Sequence, residues 1–142
     1  MRDMSSSSLL WCLLVVCVLT VVQIYAAEEP KVLKVFNLHA TDLQSSLLGT
    51  PDAYVEVFRA YGFLGRTEVK NNNADPSWEE EFSFLNAHEN NTLRLEVYDS
   101  DIFFDDLLGT CECSIKIGTW QHQCFLKTGG TLYYSYILEP LQ

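Results

Sequence analysis

Four aspartates crowd into the stretch VYDSDIFFDDLLG, where Asp99, Asp101, Asp105 and Asp106 surround the aromatic pair Phe103 and Phe104. Carboxylates held so close repel one another, and a soluble protein normally buries phenylalanine. Both liabilities are relieved by something outside the chain. The stretch leaves one strand at Val97–Tyr98 and enters the next at Leu107–Leu108, so the aspartates occupy an inter-strand loop. Asp99 and Asp101 point the same way if the strand continues, and Asp106 returns from the other side. Three carboxylates converging on one point suit a hard cation, and all-oxygen ligation favours calcium over zinc or copper. A secreted protein meets millimolar calcium, so an affinity of ~10⁻⁴ to 10⁻³ M suffices there. The competing account is a solvated acidic turn that binds nothing.

The elements that must carry this loop are strands. Runs at 32–40, 53–60, 65–70, 78–85, 92–99, 108–117, 121–127 and 131–138 are separated by turn-rich pieces such as SSLLGTPD, KNNNADPS, HENN and KTGG. In TLRLEVY, Leu93, Leu95 and Val97 alternate with Arg94 and Glu96, the period of a half-buried strand. About eight short strands without a helical run argue for an all-β protein, an antiparallel β-sandwich.

The first residues read differently. MRDMSSSS is short and polar, LLWCLLVVCVLTVV is apolar, and QIYAA ends in small residues before the charged EEP. That order predicts a secretory signal peptide over 1–27, cleaved after Ala26 or Ala27, with one domain over 28–142. The apolar run falls short of the ~20 residues of a membrane span. The whole chain has a formal net charge of −10. Cleavage removes only Arg2 and Asp3, one of each sign, so that charge stays. A field of that sign repels nucleic acid and anionic lipid, so a partner is a cation or arrives with one.

Of the five cysteines, Cys111, Cys113 and Cys124 remain after cleavage. An oxidising compartment pairs two of them. Cys111 and Cys113 share one strand face, so the residue pattern leaves open which of them meets Cys124.

SSLLGTPDAYVEVF followed by VYDSDIFFDDLLG resembles the C2 domain family, β-sandwiches whose loops at one end bind calcium and then membranes. The family's strand-opening aspartate is matched by Asp52 in DAYV, its D-x-D pair by Asp99 and Asp101, and its later aspartate by Asp106 in DLLG. NNNADPSWEEEFSF is similar to the family's N-P-x-W-x-E-x-F segment, with Trp78 and Phe82 at the structural positions. The resemblance spans roughly 31–138. Within the family the chain looks most like the C2 domains that end perforins. TPDAYVEVF, LRLEVYDSD, DDLLGTC and FLKTGGTLYYSY carry that likeness, which implies a disulfide between Cys111 and Cys124 with Cys113 left over. It also implies a setting in immune defence or cytolysis. Nothing in these residues corresponds to a membrane-attack portion, so pore formation by this chain is not implied.

The resemblance implies Asp52, Asp99, Asp101 and Asp106 as calcium ligands with help from Asp105, and leaves Asp42 outside. One departure is Ser46, where the family has another aspartate. Charge count tunes calcium affinity, so fewer ions or weaker binding are expected. Leu47 and Leu48 at the tip of the first loop and Phe103 and Phe104 at the tip of the acidic one are expected to insert into a phospholipid membrane once calcium neutralises the ring. The alternative for these four is burial in folded-back loops. A second class of function is a secreted protein–protein module whose calcium only stiffens its loops.

Asn90 opens the sequon Asn90-Asn91-Thr92 in a turn and is a candidate for glycosylation. His39, His88 and His122 show no zinc-ligand spacing. No nucleophile elbow or phosphate-binding glycine loop occurs, so an enzyme is not expected. Tyr133, Tyr134 and Tyr136 read as strand packing, and Cys113 either as a buried thiol or as a link to another chain. A monomer is expected.

Overall fold

The computed structural model describes residues 5–24 and 29–142. Helix α1 (Ser6–Ile24) covers the apolar run assigned to the leader, and the cleavage position after Ala26 or Ala27 lies outside the described residues.

Among the described residues nine strands follow: β1 (Lys31–Thr41), β2 (Ala53–Arg59), β3 (Gly62–Arg66), β4 (Ser77–Trp78), β5 (Phe82–Ala87), β6 (Thr92–Asp99), β7 (Asp106–Ser114), β8 (Gly118–Phe125) and β9 (Thr131–Pro140). One sheet runs β4-β1-β9-β8, with β5 also on β1, and the other runs β3-β2-β6-β7. All pairings are antiparallel. The all-β sandwich expected from the alternating runs is the observed architecture.

Two boundaries differ from the expectation. The run at 78–85 breaks into β4 and β5 at the acidic residues between them, where the Glu80 carboxylate accepts the Glu68 N–H instead of the segment pairing with β1. The third strand lies at Gly62–Arg66 rather than 65–70. A register shift falls between Val57 and Phe58, and past Arg66 the ladder gives way to local contacts with β2: Thr67 N–H donates to the Val55 carbonyl, the Thr67 hydroxyl accepts the Val55 N–H, and Lys70 forms an isolated bridge to Ala53.

The core sits between the sheets, built from the inward positions of each strand. Leu33, Val35, Val55, Val57, Leu93, Leu95, Val97, Leu108, Leu132 and Leu138 are wholly buried. Each such side chain contributes roughly 1.5–3 kcal/mol by leaving water. Tyr134 and Tyr136 complete this layer, and Tyr133 lies on the other face stacked on His39. Gly109 in DLLG has a packing reason, since a Cβ there would stand 2.9 Å from the Leu126 side chain.

A disulfide joins Cys111 on β7 to Cys124 on β8, the edge strands of opposite sheets, and so clamps the open side of the sandwich. Cys113, two residues further along β7, is a free, half-buried thiol that burial pushes up in pKa. Trp78 is buried and donates its indole N–H to the Glu68 carbonyl, and Phe82 packs against the core, as the motif implied.

Candidate cation and membrane-docking loops

The strand register brings the aspartates together. Ala53 lies opposite Asp99 on β6, and Asp99 lies opposite Asp106 on β7. Asp52, Asp99 and Asp106 therefore stand at neighbouring strand ends on one rim of the four-stranded sheet. The base of the first loop is tied to the NNNADPSW segment. Asp42 N–H donates to Asp75 Oδ1 at 2.9 Å, and Leu43 N–H to the Ala74 carbonyl at 2.9 Å. The same segment supports Asp52, whose Oδ1 accepts the Asn72 N–H.

The carboxylates of Asp52, Asp99 and Asp106 are held by donors from another loop. Asp99 Oδ1 accepts the Asp52 N–H at 2.8 Å, and its Oδ2 accepts the Ser45 hydroxyl at 2.8 Å. The Ser46 hydroxyl donates to Asp106 Oδ2 at 2.8 Å. Ser45 and Ser46 thus bridge the first loop to the acidic one. The pattern of the sequence flagged only the lack of charge at Ser46, and Ser45 went unnoticed because a hydroxyl's partner across 54 residues leaves no local signal.

Asp105 faces a different way. Its carboxylate accepts the Tyr54 hydroxyl at 2.6 Å and the Asp101 N–H at 3.0 Å. These bonds, that from Tyr54 foremost, hold the Asp105 carboxyl below its ordinary pKa. Tyr54 is driven upward in turn, by burial and then by Asp105. Tyr54 stacks on Tyr98 with ring centroids 5.4 Å apart, and burial together with Glu96 pushes the Tyr98 phenol up to about 12. The acidic loop is therefore braced on an aromatic pair. Asp101 caps its own turn by accepting the Ile102 N–H at 2.6 Å. Among the described residues no three acidic, histidine or cysteine side chains stand close enough to grip a cation as they are placed.

The loop tips are bare. Leu48 is 100% exposed, Leu47 71%, Phe103 86% and Phe104 85%, so none of the four is folded back into the core. Ile102, at 90%, belongs with them and was not singled out from the sequence, although it adjoins Phe103. The Ser45 and Ser46 bridges tie together the two loops that carry these apolar side chains.

The chain is a two-sheet antiparallel sandwich with acidic strand ends and exposed apolar side chains in the loops at one rim. The chain belongs to the C2 domain family, whose model matches residues 31–126. It is 39% identical over 100 residues to Perforin-1 of Rattus norvegicus, covering 68% of this chain and 18% of that protein. The chain thus spans under a fifth of the length of that relative. A solved structure described as "Structure of a C2 domain" is 53% identical, covers 77% of this chain and 98% of that one, and superposes with a TM-score of 0.75. A tandem pair of C2 domains from Extended-Synaptotagmin 2, solved calcium bound, shares the fold at 22% identity with a TM-score of 0.70, covering 81% of this chain and 48% of that one.

Proposed function

We propose that this chain is a secreted, non-catalytic C2 module that binds phospholipid membranes under the control of calcium. The observation that carries the reading is the coincidence of Asp52, Asp99 and Asp106 at adjoining strand ends with five exposed apolar side chains in the two loops that these strand ends flank. The donor set fits calcium: carboxylates, hydroxyls of Ser45 and Ser46 and backbone carbonyls are all hard oxygen ligands. Asp52, Asp99, Asp101 and Asp106 would hold the ion, and Asp105, engaged by Tyr54, would steady the loop behind them. A bound ion supplies positive charge that cancels the rim's repulsion of anionic headgroups and leaves a position for a lipid phosphate. Leu47, Leu48, Ile102, Phe103 and Phe104 then enter the interfacial layer, where burial of apolar surface provides the affinity.

The disulfide and the leader pattern support an oxidising, extracellular setting, and the likeness to Perforin-1 supports a part in cytolysis or immune defence as a targeting module or modulator.

The test is sedimentation of the mature domain with phosphatidylcholine and phosphatidylserine vesicles from chelated to millimolar calcium. Pelleting is expected only with calcium and is lost in Asp99→Asn/Asp101→Asn. Absence of pelleting at every calcium level, with calcium still bound, would overturn the membrane reading in favour of a protein–protein module.

A further inference from the structure

The pole opposite the acidic rim carries a second feature. Strand β6 has eight residues, so Thr92 and Asp99 lie about 23 Å apart at 3.3 Å per residue. At the Thr92 end, the turn from β5 to β6 contains the sequon Asn90-Asn91-Thr92. The turn is pinned by its middle residue. Asn91 Oδ1 accepts Arg59 Nη1–H at 3.1 Å and the His88 N–H at 3.3 Å. Asn90 uses its backbone N–H on the Ile115 carbonyl at 2.8 Å, and its side chain and that of Thr92 are exposed.

Bare apolar groups flank this turn. Tyr61 is wholly exposed and lines a shallow hollow with Ala60, Thr92, Arg94 and Glu112, and the Ala60 N–H donates to the Thr92 carbonyl at 2.7 Å. Ile117 is 48% exposed, and its N–H is held by Glu89 Oε1 next to Asn90. An open aromatic ring beside a sequon offers a stacking face to the C–H side of a sugar ring.

We propose that Asn90 carries an N-linked glycan whose inner sugar covers Tyr61, so that the domain has one sugar-coated pole and one membrane-facing pole. The inference rests on the secretory reading of the chain. In the transfer, Asn90 Nδ2 bonds to C1 of the first N-acetylglucosamine of a lipid-linked oligosaccharide diphosphate. The C1–O bond to the diphosphate breaks, the amide proton passes to a base of the transferase, and the lipid diphosphate leaves.

The full chain is translated with microsomes and treated with protease and with peptide N-glycosidase. The expected result is a protease-protected product whose mass falls on deglycosylation. Thr92→Val removes the glycan, whereas Thr92→Ser keeps it. Thr92 is the position to vary because Asn90 has φ 65°, a conformation that asparagine adopts more readily than glutamine. A protected product of unmodified mass overturns the proposal with the secretory reading intact. A product left open to protease overturns the secretory reading and the glycan with it. For the covering of Tyr61, removal of the glycan is expected to lower Tm in the wild type and not in Tyr61→Ser. An equal loss in both overturns that part.

Discussion

Replacing Ser46 by aspartate would separate what the serine bridge does from what a calcium ion does. The Ser46 hydroxyl donates to Asp106 Oδ2 at 2.8 Å, so Ser46→Asp removes a hydrogen bond to a charged acceptor and sets two carboxylates against each other. A bond of that kind contributes roughly 1.5 kcal/mol at its weak end, suited to an exposed loop. Two like charges about 4 Å apart cost about 1 kcal/mol in water and more as solvent is excluded. The cation-free variant should therefore lose about 2.5 kcal/mol, which lowers Tm in chelator by about 11 °C for a domain near 110 residues. Calcium binding relieves the repulsion and gains a carboxylate ligand, so affinity should tighten roughly thirtyfold, the equivalent of about 2 kcal/mol. Calorimetric titration gives the affinity, and thermal unfolding in chelator and in millimolar calcium gives the two stabilities. The signs must be opposite, with the cation-free form weakened and the calcium response enlarged. Calcium affinity equal to or weaker than that of the wild type would refute the placing of Ser46 at the ion site.

Three other outcomes are expected. Phe103→Ala/Phe104→Ala removes side chains that are 86% and 85% exposed, so folding should be unchanged; half-insertion of the pair corresponds to about 2 kcal/mol and a roughly thirtyfold loss of vesicle affinity at saturating calcium, read by sedimentation. Cys111→Ala/Cys124→Ala opens a loop with a sequence separation of 13; loop-closure entropy alone gives about 3 kcal/mol of destabilisation, read from urea unfolding with a somewhat steeper slope because the freed unfolded chain is less compact. His122 stacks on Tyr134 and Tyr136, and burial holds its imidazole below the ordinary value. Its unfolded form then takes up the proton first, so stability should fall as pH drops from the ordinary imidazole range through the lowered folded value. His122→Phe should flatten that part of a Tm profile measured between pH 8 and pH 5.

Much of the fold is written locally. TLRLEVYD reads as a strand over 92–99 and is β6 over the same residues, because alternation of Leu93, Leu95 and Val97 with Arg94 and Glu96 needs only a two-sided sheet. The order of acidic and apolar residues at the loops is likewise legible, since D-x-D and Phe103–Phe104 are neighbours along the chain. The break between β4 and β5 is not, because Glu79, Glu80 and Glu81 carry no turn residue and the Glu80 carboxylate takes its bond from a backbone N–H twelve positions earlier. The partner of Cys124 could not be chosen from residue pattern alone, since Cys111 and Cys113 share a face. The approach of the edge strands β7 and β8 makes the choice. Ser45 and Ser46 mark the same boundary. The sequence by itself determines that two acidic, apolar-tipped loops exist. Only the tertiary structure decides that serine hydroxyls cross between them to Asp99 and Asp106, because a hydrogen bond reaches 3 Å and its partners lie 54 and 60 residues apart.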